Sequence, residues 1–414
     1  MERVKSGVLK LKDGARMIRL SYRQTKRIWR RYKQDGTSGL VHRNRGKTSN
    51  NRINEKQKEK ALYLYSTRYK DFGPLFASEK MLEEYKLKVN DETLRLWLIK
   101  NGLWSKKRNW RKHRKYRERR HHFGELVQMD GSFHKWFNKE EEQYCLINMV
   151  DDATGKTYAK FDKEETTRAA MEALWGWVEK YGIPEALYVD YRNAYISQKE
   201  PSIEETLKGE SPDTHFSRAC KKLGIKIIGA NSPQAKGRVE RKNGVHQDRL
   251  VKELKLKEIN DIKKANKFLE DKYLDVINNK FQVKPLSSVD FHRSMPKELD
   301  LRAVFCFEEE RYLNNDWTIR YKNIFYQIEK QNDILPIPKT KLKIAEWLDG
   351  SIHIMHRGIE LKIKKLKSKP EKEIKQTKLK PKKKYIPSPD HPWRRWWGYK
   401  KWPQRVGDSY SLRG

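Results

Sequence analysis

Apolar and aromatic side chains recur at helical spacing in the first hundred residues, most clearly in two stretches. In the first, Ser21 is a natural N-cap and Gly36 a natural stop. In the second, Asn90 and Gly102 bound a predicted helix over 91–100, and both stretches resemble helix-turn-helix units. The predicted inner face of the first is Thr25, Ile28, Trp29 and Tyr32, and that of the second is Met81, Leu82, Val89, Leu94, Trp97 and Leu98.

The outer face of the first helix is basic and polar. A helix with aromatics inward and Arg or Gln outward suits the major groove, because those side chains pair with base edges or phosphates. An ordinary solvated basic helix would show the same pattern. In the second unit Arg95 could face DNA, and a small helical scaffold would look the same. The predicted DNA contacts of the first helix are Arg23, Gln24, Arg27, Arg30 and Arg31.

Residues 123–260 alternate apolar runs with helical patterns, which predicts an α/β region. Asp130 ends the first predicted strand, Asp190 ends the fourth, and Glu240 lies in the first turns of a helix that begins at about residue 237. We expect strands over 125–129, 144–150, 157–161, 186–189 and 225–229, with helices over 166–180 and 216–223. Segment 196–215 is predicted to be a surface loop.

Three acids in this order can support phosphoryl transfer by two metal ions. Hard divalent ions prefer carboxylate oxygens, and a pair of ions about 4 Å apart can activate the attacking oxygen and stabilise the leaving one. We therefore predict that Asp130, Asp190 and Glu240 are the catalytic residues and the ligands of two Mg²⁺ ions, which Mn²⁺ could replace. The bases around Glu240 suit a phosphate substrate and are Lys236, Arg238, Arg241 and Lys242.

The charge supports a nucleic-acid partner. Lys and Arg number 93 against 55 Asp and Glu, a formal net charge of +38, and a protein this basic needs a polyanion. The basic linker 105–122 is too charged to form a core and should follow phosphates. Its predicted DNA contacts are Lys106, Lys107, Arg108 and Arg111.

The cysteines and the length of the apolar runs limit the class of protein. The three cysteines form no C-x-x-C pair, so we expect buried thiols in a reducing cytoplasm. The longest apolar runs are too short for a membrane helix. Localisation in the cytoplasm, on the nucleoid when bound to DNA, is therefore expected, with no membrane partner.

The last third changes from helix to short strands. Residues 261–304 read as a helical connector. Turn signals at 314–315, 322–323 and 349–350 predict a small β-barrel over 305–365. The barrel could contact DNA, contact another subunit or act as a structural cap. The Lys-rich, aromatic tail 366–414 is expected to bind phosphates without sequence preference or to dock on a partner.

The chain resembles DDE transposases of bacterial insertion sequences that have a retroviral-integrase-like core, the group called ISNCY. The helical units 1–52 and 53–104 resemble that family in LSYRQTKRIWRRYKQDGTSGLVHRNRGK, YKDFGPLFASEKM and ETLRLWLIKNGLW. The core 123–260 resembles it in QMDGSFHKWF, YVDYRNAY and ANSPQAKGRVERKNGVHQDRLVKEL.

The resemblance implies a multidomain protein with an α/β ribonuclease-H-like core and a mixed sheet. It also implies double-stranded DNA as substrate, both transposon ends and target, and a homo-oligomer on paired ends. By motif match, Asp130, Asp190 and Glu240 take the family's acidic positions. Two alternatives stay open: a DNA-binding regulator derived from a transposase that has lost catalysis, and a nuclease that cuts without joining.

Overall fold

The computed structural model describes residues 1–42, 44–46, 53–105, 117–137, 142–191, 194–197, 203–208, 212–230, 236–366 and 386–392. The chain divides into two compact units, Met1–Cys306 and Phe307–Gly414. The basic linker between 106 and 116 and most of the tail lie outside the described residues.

The first helical unit forms as the pattern predicts. Helices α1 (Glu2–Lys5), α2 (Leu11–Met17) and α3 (Tyr22–Asp35) are followed by a 3₁₀ helix, Gly36–Leu40. The Ser21 hydroxyl accepts a hydrogen bond from the amide of Gln24, which fixes the start of α3. The predicted inner face lies inward, with Thr25 and Tyr32 buried and Ile28 and Trp29 half-buried.

The second helical unit consists of α4 (Glu55–Arg68), α5 (Pro74–Tyr85) and α6 (Asp91–Lys100). The Asn90 side chain accepts hydrogen bonds from two amides of α6, which confirms the predicted cap. Leu82 was a wrong core prediction, because it is 47% exposed. The core contains more aromatic residues than expected, and they are Tyr65, Tyr69, Phe72 and Phe76.

A five-stranded mixed sheet forms among the described residues of the core. The strands are β1 (Val127–His134), β2 (Tyr144–Asp151), β3 (Thr157–Asp162), β4 (Ala186–Val189) and β5 (Lys226–Gly229). They lie in the order β3-β2-β1-β4-β5. The pairs β1–β2 and β2–β3 are antiparallel, whereas β1–β4 and β4–β5 are parallel. The predicted mixed sheet is confirmed.

Strand β1 is longer than expected. It continues past Asp130 to His134, because its pairing with β2 continues to the contact between His134 and Tyr144. The prediction that the strand ends at Asp130 is therefore wrong. Gly131 and Ser132 had suggested a turn, and cross-strand pairing overrides that local preference.

Helices cover both faces of this sheet. They are α7 (Thr167–Tyr181), α9 (His215–Lys222) and α10 (Gly237–Leu256); α7 packs on β2 and β3, and α10 packs on β1 and β2. A short helix, α8 (Ile203–Lys208), lies inside the segment predicted to be a loop. Its Ile203 and Leu207 are exposed, as expected of a surface segment.

The connector closes the free edge of β3. It contains α11 (Ile262–Phe268), a π-helical turn (Leu269–Tyr273) and α12 (Leu274–Phe281), and α13 (Leu301–Val304) follows further along the chain. Side-chain amides of Asn266 and Asn278 each accept from one backbone N–H of β3 and donate to the carbonyl of the same residue. They stand in for a neighbouring strand, so this edge of the sheet is not left unpaired.

The second compact unit does not confirm the predicted barrel. Its strands are β6 (Cys306–Tyr312), β7 (Thr318–Tyr321), β8 (Ile324–Ile328), β9 (Lys341–Trp347), β10 (Ile352–His356), β11 (Ile359–Leu361) and β12 (Ile363–Leu366). Among the described residues they form two separate sheets, β11-β10-β9-β6 and β12-β8-β7, that share one apolar core. Lys322 and Asn323 both have positive φ in the β7–β8 hairpin, as the turn signal indicated. Turn signals predict hairpins but not closure.

Candidate active site

Two aspartates come together on neighbouring parallel strands. In the β1–β4 pair, Gln128 lies opposite Tyr188, an offset of 60 positions (188 minus 128). The same offset places Asp130 level with Asp190, which directly follows β4. Adjacent strands lie about 4.8 Å apart. The parallel pairing therefore brings the two carboxylates close together.

One lysine lies between these carboxylates. The ammonium nitrogen of Lys236 is 2.8 Å from Asp130 Oδ1 and 2.7 Å from Asp190 Oδ2. The Lys236 side chain is only 5% exposed, whereas those of Asp130 and Asp190 are 18% and 33% exposed. Two carboxylates this close need a cation between them, and Lys236 supplies it here.

Helix α10 presents one polar face to this pair. Lys236 occupies the N-cap position, Glu240 lies in the first turn, and Asn243 and Gln247 follow at i+7 and i+11 from Lys236. Asn243 Nδ2 donates to Asp130 Oδ2 at 3.0 Å, and Gln247 donates to the hydroxyl of Ser132 in β1 at 3.0 Å. Glu240 lies on this helix between Lys236 and Asn243, which both contact Asp130.

The three acids do not form a complete set of metal ligands in this structure. Among the residues that the structure describes, no three His, Cys, Asp or Glu side chains are arranged as a ready metal site. Asp130 and Asp190 are held around an ammonium group instead. The donor chemistry fits a hard divalent ion, since two carboxylates converge on one cation and the third lies on the adjoining helix face.

A buried amide relay orients Asn243. Asn148 Nδ2 donates to Asn243 Oδ1 at 2.8 Å, which leaves the Asn243 amide hydrogens free to point at Asp130. Thr157 Oγ1 in turn donates to Asn148 Oδ1. The relay runs from β3 through β2 to α10, so it fixes the angle at which Asp130 is held.

A fourth acid, Glu165, lies over Gly131 next to Asp130, and no motif in the sequence marks it. A Cβ atom on Gly131 would be 2.5 Å from the carboxyl carbon of Glu165, so a larger residue there would require the Glu165 side chain to move. Glu165 Oε1 accepts a hydrogen bond from the Tyr195 hydroxyl at 2.8 Å. Burial, and then the charges of Glu165 and Asp130, raise the pKa of Tyr195 well above its usual value, so its hydroxyl remains a donor.

Asp152 ties the start of α10 to the core. It is fully buried, and its carboxylate accepts from Arg238 at 2.8 Å, Arg117 at 2.7 Å and the amide side chain of Gln128 at 2.6 Å. The Gln128 side chain also accepts from the Val239 amide in the first turn of α10. The last residues of the basic linker are anchored here, because Arg117 and the Arg120 amide both donate to the Asp152 carboxylate.

Two transposases resemble most of the chain. A transposase of Sinorhizobium fredii is 34% identical over 363 residues, which cover 87% of this chain and 78% of that protein. The transposase for insertion sequence IS1202 of Streptococcus pneumoniae is 31% identical and covers 91% of this chain and 88% of its own length. The chain belongs to the insertion-sequence transposases. No protein-family model matches it.

Solved structures show weaker likeness to the transposase. The integrase catalytic core domain of HTLV-2 in complex with magnesium covers 36% of this chain and 83% of its own, with a TM-score of 0.28 and 22% identity. A simian T-cell lymphotropic virus intasome in complex with a PP2A regulatory subunit covers 71% of this chain and 95% of its own, with a TM-score of 0.33 and 16% identity. The family assignment rests on the two sequence relatives.

The predicted DNA contacts of the transposase lie in different environments. On α3, Arg23, Gln24, Arg27 and Arg30 are exposed, and Arg31 is half-buried. Arg95 pairs with Glu92 on its own helix. Lys106, Lys107, Arg108 and Arg111 lie outside the described residues, and Arg241 is exposed on α10.

None of the described helices is both long and apolar enough to cross a membrane.

Lys242 and His246 lie on the inner side of α10, one turn apart. Both are buried, and neither the Lys242 ammonium nor His246 Nε2 has a hydrogen-bond partner among the described residues. Burial, and then the charge of Arg119, lower the pKa of Lys242 to about 8. Burial and then Lys242 lower the pKa of His246 to about 3, so it stays neutral. The prediction that Lys242 contacts DNA stays a prediction.

Proposed function

We propose that the transposase binds the ends of its insertion sequence, cleaves DNA there and transfers the 3′-OH strand into target DNA. The observation that carries the proposal is the pair Asp130 and Asp190, held on parallel strands around one cation, with Glu240 on the adjoining face of α10. Metal-dependent strand transfer needs converging carboxylates on rigid elements. We also propose that the core is ribonuclease-H-like, which the five-stranded mixed sheet in the order β3-β2-β1-β4-β5, with α7 and α10 packed on it, supports.

Two Mg²⁺ ions are the cofactor we propose. When bound, they would activate the attacking oxygen and stabilise the leaving oxygen of the phosphodiester. Asp130 and Asp190 are the candidates to hold an ion between them, and Glu240 completes the set from the helix. Asn243 keeps Asp130 Oδ2 in a fixed direction, which leaves Oδ1, the oxygen that Lys236 contacts, as the one that would take a metal ion.

Recognition of the ends is assigned to the first helical unit. The exposed face of α3 carries a row of basic and amide side chains that can reach base edges in the major groove. The second unit packs on α10 through α5, where Arg249 Nη1 lies 2.6 Å from Glu79 Oε2. We propose that this unit supports the core.

Joining requires two ends at one target, so we propose that the transposase acts as a homo-oligomer on paired ends. The linker and tail carry much of the positive charge and none of the three acids. They are the segments best suited to hold target phosphates or a second subunit.

The test is a joining assay with purified protein, the terminal sequences of the insertion element, Mg²⁺ and a supercoiled plasmid target. We expect cleavage at the element ends and covalent end–plasmid products, with Mn²⁺ able to replace Mg²⁺. Ca²⁺ should allow assembly without cleavage, because its longer, looser coordination misplaces the reacting oxygens.

Each other outcome overturns a part of the proposal. Specific end binding without cleavage under any metal would identify a regulator that has lost catalysis. Cleavage without joined products would identify a nuclease. Full activity with excess chelator would remove the metal ions from the mechanism.

A further inference from the structure

The candidate site carries its own cation. Asp130, Asp190 and Glu240 contribute three formal negative charges and Lys236 one positive charge, which leaves a formal charge of −2. Among the described residues, Lys236 is the cationic group within ion-pair distance of Asp130 or Asp190, and it contacts both. Its side chain is more deeply buried than either carboxylate, so it fills the space between them.

That space is also where a bridging ion would bind. The Lys236 nitrogen is 2.8 Å and 2.7 Å from one oxygen of each aspartate. Mg²⁺ binds carboxylate oxygens at about 2.0–2.1 Å, so an ion that bridged the same two oxygens would overlap the ammonium group. The ammonium and the ion therefore exclude each other.

We propose that Lys236 is an exchangeable counter-cation: it holds Asp130 and Asp190 together before a divalent ion binds, and the ion must displace it. This rests on the proposed function, in which the two aspartates are metal ligands. The exchange makes and breaks no covalent bond, since an ammonium leaves two carboxylates and an ion takes its place. Lys236 is thus a positioning residue that competes with the cofactor.

The local structure suits an exchange better than a permanent ion pair. Lys236 is the N-cap of α10, so its side chain leaves from the end of a helix and not from a packed interior turn. Its four-carbon side chain can change rotamer without moving Glu240, Asn243 and Gln247, which lie one, two and three helical turns further along α10. The two carboxylates are partly open to solvent, which gives an ion a route in.

The first test concerns the protein without metal. In excess chelator, Lys236→Met should lower the unfolding temperature by about 2 °C or more, because the two carboxylates then repel each other unbalanced. Adding Asp190→Asn to that variant should restore much of the loss. Lys236→Arg keeps the charge and should stay near the unsubstituted protein. Lys252→Met is the matched control, a lysine of α10 that pairs with Asp248 away from the site.

The second test measures Mn²⁺ binding through the free-ion electron paramagnetic resonance signal, in the absence of DNA. Lys236→Met should bind Mn²⁺ more tightly by about fivefold or more, the lower range of coupling between two competing ligands. Lys252→Met should leave the affinity unchanged. Asp130→Asn should abolish the tight binding in either background.

The outcomes separate this inference from the proposed function. Unchanged or weaker Mn²⁺ binding by Lys236→Met, with binding still lost in Asp130→Asn, would overturn the exchange and leave the metal site intact. Binding that survives Asp130→Asn would overturn both. A Lys236→Met protein as stable in chelator as Lys252→Met would overturn the counter-cation role.

Discussion

Single side chains decide the chemistry of this site, beginning with the three acids. Asp130→Asn, Asp190→Asn and Glu240→Gln keep shape and remove one negative charge each. We expect every one to reduce cleavage and joining by more than the 10- to 100-fold typical of losing a group that only supports a metal ligand. Binding to element ends, measured by gel shift, should change little.

The control for this set is Asp248→Asn, an exposed acid on the same helix as Glu240. It should cleave and join normally. Near-normal cleavage by any one of the three amide variants would remove that residue from the site.

Gly131 provides a second test at this scale. Gly131→Ala should destabilise the protein by about 1–3 kcal/mol, the usual cost of overpacking, because the new Cβ meets the Glu165 carboxyl group at 2.5 Å. Pairing it with Glu165→Ala should recover part of the loss in urea unfolding. Gly244→Ala, on the open side of α10, is the matched control and should be neutral or slightly stabilising. Additive losses in the double variant would show that the two residues do not clash.

The sequence singles out Asp130, Asp190 and Glu240 because each belongs to a motif with its own flanking residues, and their catalytic role stays a prediction. The partners of these acids could not be predicted in the same way. The contact between Lys236 and Asp130 joins residues 106 positions apart, and no local pattern encodes such a distance. Glu165 was missed for the same reason, since only the fold brings it over Gly131.

At the scale of elements, α10 and α5 form a charged interface. Arg249 is buried between the rings of Phe76 and Phe281 and pairs with Glu79. Burial alone would raise the pKa of Glu79, but hydrogen bonds from Arg249 and Lys280 outweigh it, so the pKa is lowered. A carboxyl whose pKa falls on folding stabilises the protein above its unfolded pKa, and that stabilisation is lost as the pH falls.

Glu79→Gln should therefore destabilise the transposase most at neutral pH and progressively less in acid. The measurement is urea unfolding between pH 7 and pH 4, in variant and unsubstituted protein. Glu92→Gln, whose partner Arg95 lies on the exposed face of α6, is the control. A loss that stays constant across this pH range would show that the charge of Glu79 contributes nothing.

The exposed face of α3 is a second element with a testable role. Arg27→Ala, or Arg23→Ala with Gln24→Ala, should weaken binding to element ends by about 1–3 kcal/mol for each base that the helix no longer reads. Binding to random DNA should fall less. Equal weakening on both DNAs, measured by gel shift, would make α3 a phosphate clamp.

Element types were predicted well and element limits less well. The strand Ala186–Val189 and the caps Ser21 and Asn90 follow from local chemistry, and the structure has them where the pattern placed them. Strand β1 runs four residues further than expected because β2 lies beside it. The relation between the two sheets of the second unit depends on packing between strands, which turn signals do not report.

For the whole molecule the dominant property is its charge of +38. Deleting residues 367–414 removes a Lys-rich segment but keeps β12 whole, because Leu366 still pairs with Phe325. The truncated transposase should fold, bind a single end through its first helical unit, and lose paired-end complexes or joining first. Size-exclusion chromatography with end DNA, beside a joining assay at physiological salt, measures both. The same complexes and joining rate would show that the tail is dispensable.

The two contacting sides of helix α10 limit which segments related elements can exchange. One side of it carries Glu240 and Asn243, and the other carries Arg249 and Glu253, which pair with Glu79 and Lys80 of α5. One helix therefore contacts the candidate active site on one side and α5 on the other. A chimaera that took residues 53–104 from a relative would bring foreign partners to the back of the catalytic helix. We therefore expect a chimaera to be functional only when residues 53–104 and the side of α10 that contacts α5 come from the same parent. Recombination between related elements should keep these two segments together.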